Sequence, residues 1–502
     1  MVTADDVAAH RGGLDHERER RLGRVAEIRA AGGQPYPHRF DRSHTLADVR
    51  AAHHALEPGT ETDVRVSVAG RVMLRRVQGR LVFITLRDRS DELQLFISQA
   101  VVGDAPFEDI AALDLGDWVG ARGAVMSTRK GELSVKVDSL VLLAKAVRPM
   151  PDKWHGLTDT DTRYRQRYAD LIVNEDARRA FAVRHATVAS FRRTLGDEGF
   201  TEVETPVLHA DAGGAHARPF VTHHNALDMG LYLRIALELH LKRLIVGGME
   251  RVFEIGRVFR NEGISPRHNP EFTMMESYQA FGDYRDAMAL AALLVRNAAR
   301  DALGTTMVAL GGAPVDLAQP WTEITMMGAA SEAAGADLHP DRPVAEMRGV
   351  ASRLGIDVEP HWGSGRIGEE IFSHLVEPEL VRPTFVTHHP VEISPLARAD
   401  QRDPSLTERF ELFIAGREVA NGYSELNDPV EQRARFEDEQ RAKEAGDVGA
   451  GSVDEDYLRA LEYGLPPTAG LGIGVDRIVM LLAGVASIKD VILFPTLRPE
   501  AD

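Results

Sequence analysis

Three segments of this chain combine the residue types that phosphate chemistry uses. The first, Gly199-Phe200-Thr201-Glu202-Val203-Glu204-Thr205-Pro206, reads as a strand ending in proline. The second, Val258-Phe259-Arg260-Asn261-Glu262, leads through a polar loop to His268-Asn269-Pro270-Glu271-Phe272. The third, Gly470-Leu471-Gly472-Ile473-Gly474-Val475-Asp476-Arg477, opens an apolar helix. A glycine triplet or a Phe-Arg-Asn-Glu tetrad alone is unspecific; the three segments in this order are specific. The commoner devices are missing, with no Gly-x-x-x-x-Gly-Lys-Ser/Thr loop, no His-Glu-x-x-His pair and no Gly-x-Ser-x-Gly elbow. The chain has no cysteine, which excludes disulfides, thiolate metal sites and a cysteine nucleophile.

Two carboxylates stand apart from these segments. Glu411 and Glu418 bracket Leu412-Phe413-Ile414-Ala415-Gly416-Arg417. Hard oxygen ligands of this kind suit Mg²⁺ bridging phosphates. On one straight strand an odd separation puts the two on opposite faces, so a turn or bulge near Gly416 is required to unite them.

These residues need elements to hold them. Residues 15–31 read as a helix, with Leu22, Val25, Ala26 and Arg29 at helical spacing and Gly32-Gly33 ending the run. Residues 11–29 hold six arginines against four acids, which suits a solvated face or contacts to a phosphate backbone. From Val64 the period becomes two: Val64, Val66 and Val68 alternate with polar residues, and Gly70 is expected to break the run. Further strands are expected at Leu81–Leu86, Leu93–Ile97, Trp118–Val125 and Glu132–Leu143. After an N-terminal helical segment, 1–60, these strands fit an OB-type barrel over 61–145. Such barrels bind single-stranded nucleic acid with aromatic and basic side chains. Here Phe83 lies on the second strand, downstream of Arg71, Arg75 and Arg76. A purely structural barrel is the alternative. Residues 146–165, with Pro149 and Pro151, read as a linker. Over 166–502 helices and strands mix without regular βαβ alternation, which predicts an α+β domain on an antiparallel sheet.

Composition bounds the rest. The chain has 502 residues, 44% hydrophobic and 27% charged, as expected for two to four globular domains at roughly 100–200 residues each. The net charge of −17 is uneven: residues 1–150 carry 22 basic and 21 acidic side chains, against 37 and 55 in the remainder. An acidic bulk favours cationic substrates or divalent metals, and equally serves solubility. The longest clean apolar run near the C-terminus, Ile478 to Ala486, is far short of the ~20 residues that cross a bilayer. Charges within the first twenty residues argue against a signal peptide, so no membrane partner and a cytoplasmic address are expected.

Together the three segments resemble motifs 1, 2 and 3 of class II aminoacyl-tRNA synthetases. The reaction this implies is an in-line displacement at the α-phosphorus of ATP. The substrate carboxylate is itself the nucleophile, so catalysis reduces to positioning and charge neutralisation. Arg260 would clamp the α-phosphate and the carboxylate, as an arginine fork can. Arg477 would stack on adenine or hold the terminal phosphate, and His268 would add a donor. Phe272 would offer an apolar face to the base, with Glu262 beside the nucleotide. Gly472 and Gly474 would let the backbone approach closely.

Further stretches narrow the resemblance. They include Leu231-Tyr232-Leu233-Arg234-Ile235, Arg251-Val252-Phe253-Glu254-Ile255, Asn269-Pro270-Glu271-Phe272-Thr273-Met274-Met275-Glu276, Asn421-Gly422-Tyr423-Ser424-Glu425-Leu426 and Gly464-Leu465-Pro466-Pro467-Thr468-Ala469-Gly470. Asp152-Lys153-Trp154-His155-Gly156-Leu157 belongs with them. These are similar to class II lysyl-tRNA synthetases of the bacterial type, over nearly the whole chain. The resemblance implies lysine, ATP, Mg²⁺ and a lysine tRNA as ligands, and a homodimer built partly on motif 1, where Pro206 lies. It also implies an insertion near 316–380. Lysine carries two ammonium groups and needs buried carboxylates. The resemblance puts Glu238 and the backbone of Gly214 at the α-ammonium, and Glu425 and Tyr278 at the ε-ammonium. Tyr423 would lie along the aliphatic stem, Asn421 and Arg260 at the carboxylate, and Glu276 elsewhere in the pocket. In the barrel it implies anticodon reading, with Phe83 stacking a base, Gln94 and Glu132 on base edges and Arg75 or Arg76 nearby.

The chain departs from the family's usual wording at three places. Ala-Pro-Glu-Leu-Tyr becomes Ala236-Leu237-Glu238-Leu239-His240, Gly-Gly-Ala-Ala-Ala-Arg becomes Gly213-Gly214-Ala215-His216-Ala217-Arg218, and Met-Glu-Leu-Tyr becomes Met275-Glu276-Ser277-Tyr278. Loss of proline at 237 is expected to loosen the strand that presents Glu238. Two rival functions stay open on sequence: a synthetase-like enzyme that lysylates a protein, and a non-catalytic RNA-binding or regulatory duplicate. The barrel argues against the first; Arg260, Glu262, Glu418 and Arg477 argue against the second.

Overall fold

A computed structural model describes residues 4–151, 157–211, 213–444, 446, 449 and 451–500. Of the stretch that begins at Asp152, all but Leu157 lies outside the described residues. The chain divides into two compact units, Met1–Leu157 and Thr158–Asp502. No described helix is long and apolar enough to cross a membrane.

The first unit is a closed barrel of β1 (Glu61–Gln78), β2 (Leu81–Arg87), β3 (Glu92–Ser98), β4 (Trp118–Ser127) and β5 (Leu133–Ala144), in the order β1-β2-β3-β5-β4. Strands β3 and β5 pair in parallel and the others antiparallel. The period-two pattern of β2 and β3 drives Val82, Ile84, Leu86, Leu93, Leu95 and Ile97 into the barrel interior. Gly70 does not break the run: β1 passes straight through it. A Cβ there would sit 2.5 Å from the Arg87 carbonyl oxygen, so the glycine permits close strand approach. Helix α1 (Ala4–Ala30) precedes the barrel. Three of its arginines reach the rest of the unit: Arg20 pairs with Asp114 at 2.5 Å, Arg24 with Asp109 at 2.8 Å, and Arg21 donates to the carbonyls of Leu115 and Ala146, while Arg18 and Arg29 stay exposed. The basic stretch thus secures the helix to its own barrel. Helix α2 (Leu46–His53) begins in a Thr45/Asp48 capping box.

The second unit is built on an eight-stranded sheet. In chain order its strands are β6 (Thr201–Glu202), β7 (Arg251–Phe259), β8 (Glu271–Ala280), β9 (Thr322–Thr325), β10 (Thr384–Thr387), β11 (Arg409–Phe413), β12 (Glu418–Ser424) and β13 (Thr468–Gly474). They lie side by side as β9-β10-β11-β12-β13-β8-β7-β6. The five inner pairings are antiparallel, as expected; only the edge pairs β9·β10 and β7·β6 are parallel. Helices α3 (Glu175–Asp197), α4 (Glu238–Val246) and α5 (Tyr284–Leu303) flank the sheet. Three more, α6 (Met326–Ala334), α7 (Val344–Arg353) and α8 (Ser364–Leu375), connect the parallel edge strands β9 and β10, a connection that needs a crossover. They enclose a separate core around Met327, Met347, Ile367 and Phe372. Helices α9 (Pro429–Glu444), α10 (Glu455–Glu462) and α11 (Val475–Ala483) complete the unit.

Candidate active site

One face of the sheet opens into a cavity of about 1140 Å³. It is lined by every residue expected above to hold lysine, ATP or metal: Gly214, Glu238, Arg260, Glu262, His268, Phe272, Glu276, Tyr278, Glu411, Glu418, Asn421, Tyr423, Glu425, Gly472, Gly474 and Arg477.

Arg260 follows directly on β7. Its backbone N–H donates to the Pro270 carbonyl at 2.8 Å, which closes the intervening loop. Its guanidinium lies 5.3 Å above the Phe272 ring, and Nε makes a long 3.4 Å contact to the Ile235 carbonyl. Among the described residues it has no ion-pair partner. Burial depresses its pKa, and Glu262, Glu418 and Glu276 oppose that shift. His268 is held through Nδ1 by Ser265 Oγ at 2.9 Å, and burial followed by Arg477 lowers its pKa.

Arg477 sits in the first turn of α11 and donates to the Glu418 carbonyl at 2.7 Å and carboxylate at 2.9 Å. Its neighbour Asp476 faces the interior, where it accepts the Thr273 N–H at 2.6 Å and pairs with Arg184 of α3. A Cβ at Gly472 would make only ordinary contacts, 3.4 Å and beyond, so protein packing alone does not require that glycine. Gly470, unremarked in the sequence, is different: a Cβ there would overlap Glu425 Oε1 at 1.9 Å.

Three carboxylates lie buried in the cavity wall. Glu238 opens α4 and is not on a strand, which corrects the expectation. Leu237 therefore loosens nothing. Its backbone N–H donates to Glu276 at 3.0 Å, a bond proline cannot make. Glu276 also accepts the Tyr278 hydroxyl at 3.1 Å, and burial together with Glu238 pushes its pKa up to about 7. Tyr423 does more than pack along a stem: its hydroxyl donates to Glu238 at 2.6 Å. Glu425 is 1% exposed, and the Lys242 ammonium is the one polar group held against its oxygens among the described residues. Burial raises its pKa and Lys242 opposes the rise.

Two partners escaped the sequence reading. Lys242 Nζ lies between Glu238, at 2.5 Å, and Glu425. The available signal was its place four residues after Glu238 on one helix. Arg409 donates to Asn421 Oδ1 at 3.0 Å, to Glu411 at 2.7 Å, and to Ser394 Oγ at 2.9 Å. With its oxygen so engaged, Asn421 keeps its amide NH₂ as the donor for an acid.

Glu411 and Glu418 occupy adjacent strands of one hairpin. The turn carries Ala415 and Gly416 at φ 56 and 64, and the register shifts between Leu412 and Phe413. That turn and shift supply what the odd spacing required. Burial pushes the Glu411 pKa up to about 8; Glu418, Glu369 and Glu377 add to the rise and Arg409 opposes it. Arg409 holds Glu411 and Arg477 holds Glu418, and the carboxylate charge left over around Glu411 suits a divalent cation.

On the barrel exterior, Phe83 and Phe96 meet edge to face at 5.5 Å, and the Arg76 guanidinium lies 5.8 Å from the Phe83 ring. Phe96 was not foreseen, although it pairs directly with Phe83 across β2 and β3. Gln94 donates to Ser134 Oγ at 2.9 Å, and Glu132 is exposed. Arg75 turns away from this face and donates to the carbonyls of Ala111 and Leu113.

The pocket charge gives a pH dependence. A substrate ammonium near Glu276 must displace its proton. Binding of such a substrate should release up to about one proton near pH 6.5 and almost none near pH 8.5. Calorimetry in buffers of different ionisation enthalpy measures this, and Glu276→Gln should abolish the difference. Equal release by that variant would assign the proton elsewhere.

Known proteins share this arrangement. The family described as tRNA synthetases class II (D, K and N) matches residues 159–498, and the OB-fold nucleic acid binding domain matches residues 66–143. A lysine–tRNA ligase of Thermosynechococcus vestitus is 51% identical over 490 residues, 96% of this chain and 97% of that protein. Those of Enterococcus faecalis and Bacillus subtilis are each 49% identical, covering 99% and 97% of this chain and 100% and 98% of their own lengths. With one family matching most of its length and relatives at half identity end to end, the chain belongs to the class II tRNA synthetases (D, K and N).

Proposed function

We propose that the chain is a lysine–tRNA ligase. It joins the lysine carboxylate to the α-phosphorus of ATP, releasing pyrophosphate, and then passes the lysyl group to the 3′-terminal ribose of a lysine tRNA, releasing AMP. One observation carries this reading: an unpaired arginine fork on an aromatic face shares its cavity with three buried carboxylates, Glu238, Glu276 and Glu425. Lysine brings one carboxylate and two ammonium groups. An acidic substrate would meet like charge at the same wall. The relatives' names support the same assignment.

The residues then divide the work. Arg260 holds the attacking carboxylate and the α-phosphate, with Asn421 NH₂ on the same carboxylate. Phe272 takes the adenine face. Arg477 and His268 meet the polyphosphate, Glu262 lies beside it, and Gly472 and Gly474 leave space for the nucleotide. Glu238 and the backbone of Gly214 take the α-ammonium; Glu425 and Tyr278 take the ε-ammonium, with Glu276 between them and Tyr423 along the stem. Glu411 and Glu418 would hold Mg²⁺, which neutralises charge on the phosphates. No general base is needed, because the nucleophile is already an anion.

The barrel reads the anticodon: Phe83 stacks a base, with Gln94, Glu132 and Arg76 at base edges and Arg75 supporting from behind. The active form is a homodimer through motif 1, where Pro206 precedes the exposed Val207 and Leu208, and exposed Val221 and Leu227 lie on and beside the neighbouring strands. The cytoplasm is the compartment, because translation consumes the product. Pyrophosphate exchange with each common amino acid tests the central assignment. Lysine alone should support it, and lysine should then pass to tRNA and not to protein acceptors. Exchange with another amino acid only would overturn the reading.

Phe83→Ala should weaken tRNA charging by the value of one stacked base, about 1–3 kcal/mol. Lysine-dependent pyrophosphate exchange needs no tRNA and should hardly change. Equal loss in both assays would make Phe83 a packing residue.

A further inference from the structure

Lys242 is fully buried behind the cavity wall, its Nζ between Glu238 Oε1 at 2.5 Å and the Glu425 carboxylate. Three aromatic rings surround it, with centroids at 5.4 Å for Tyr423, 5.9 Å for Tyr457 and 6.0 Å for Tyr278. Its two carboxylate partners are those the proposed function gives to the two ammonium groups of the substrate. A protein ammonium therefore already stands where two more must be received.

Charge counting shows why. When all are ionised, Glu238, Glu276 and Glu425 outnumber Lys242 by two negative charges. Lysine brings two ammonium groups, and its carboxylate is answered by Arg260. The Glu425 oxygens have Lys242 Nζ as their one close polar partner among the described residues. A buried carboxylate without a hydrogen bond or cation takes up a proton instead.

We infer that Lys242 is a specificity-determining positioning residue, whose fixed ammonium favours the ionised form of Glu425 and limits the pocket to the two positive charges that lysine supplies. The inference rests on the proposed lysine chemistry of the cavity. The groups facing this pair are Glu238 from α4, Glu276 and Tyr278 from β8, Tyr423 from β12, and Tyr457 from α10 with Arg243 over its ring. Of these only Arg243 is cationic, and it lies against Tyr457 with Asp454 and Asp456 as its partners. Burial opposes the charge on Lys242, but Glu238 and Glu425 together hold its pKa above the ordinary lysine value.

The test is pyrophosphate exchange by the full chain with lysine and with norleucine, which has the same carbon chain without the ε-ammonium. The unaltered chain should prefer lysine strongly. Lys242→Met lets Glu425 protonate, so the preference for lysine should fall by about a hundredfold near pH 7, mainly through the lysine KM. Part of it should return as the pH is raised and Glu425 gives up its proton. Loss of both substrates together, independent of pH, would overturn the inference.

A second comparison takes the protonation of Glu425 out of the test. Glu425→Gln leaves Lys242 repelling the ε-ammonium of the substrate. Adding Lys242→Met to that variant removes the repulsion, so the double variant should use lysine about tenfold better than Glu425→Gln alone. A double variant no better than the single would overturn the inference. An unaltered chain with no lysine-dependent exchange would instead overturn the proposed function, so the two failures are distinguishable.

Discussion

Arg260→Lys should lower kcat for adenylate formation by two or more orders of magnitude, since one transition-state donor is worth about 2.7–4 kcal/mol. Lysine keeps the positive charge but loses the planar fork that reaches two acceptors at once. The fork is free to act: its hydrogen bond to the Ile235 carbonyl is long, at 3.4 Å, and it has no ion-pair partner among the described residues. The melting temperature should therefore move little. Pyrophosphate exchange and a thermal scan together decide the matter. Near-normal exchange would make Arg260 an ordinary charge. A large fall in melting temperature would make its stacking on Phe272 structural.

Glu425→Gln should raise the lysine KM steeply while leaving that for ATP nearly unchanged. The expected cost is on the order of 3–5 kcal/mol, because a buried ammonium loses its counter-charge. Lys242 sharpens the expectation. It keeps Glu238 as a partner, so the fold should survive, but its charge is no longer balanced on the Glu425 side. The glutamine preserves shape against Gly470, where no side chain fits. Steady-state kinetics with each substrate varied in turn measures the effect. An unchanged lysine KM would remove Glu425 from the pocket.

The barrel was legible because its interior is set by period two, and alternation survives projection onto a single sequence. Gly70 was misread for the same reason: a glycine that permits close strand approach looks like one that ends a strand. The second and third motif segments located the cavity, since each runs along or directly off a neighbouring strand of the sheet; the first pairs beside them at the sheet edge and lines none of it. The ion network inside it was not legible. Lys242 lies in an apolar helical stretch, where a lone lysine ordinarily points to water, and its second partner Glu425 comes from a distant strand end. Arg409 likewise depends on a hairpin register that spacing alone cannot supply. Glu238 was placed on a strand because the run around Leu237 has no capping residue to announce the helix.

The opposed directions of Asp476 and Arg477 bear on motion. Asp476, 1% exposed, fastens the start of α11 to β8 and α3 at once, so Arg477 projects from a backbone that cannot swing. Across the cavity, residues 261–264 are exposed and carry no regular hydrogen-bond ladder. On the proposed assignment the nucleotide would meet one wall fastened at several points and one held by fewer bonds, and motion is expected mainly in the second. Any closure around ATP would then be a movement of the loop toward an arginine held in place. The rigid side sets where the phosphates stop, and the soft side sets how quickly they enter and leave.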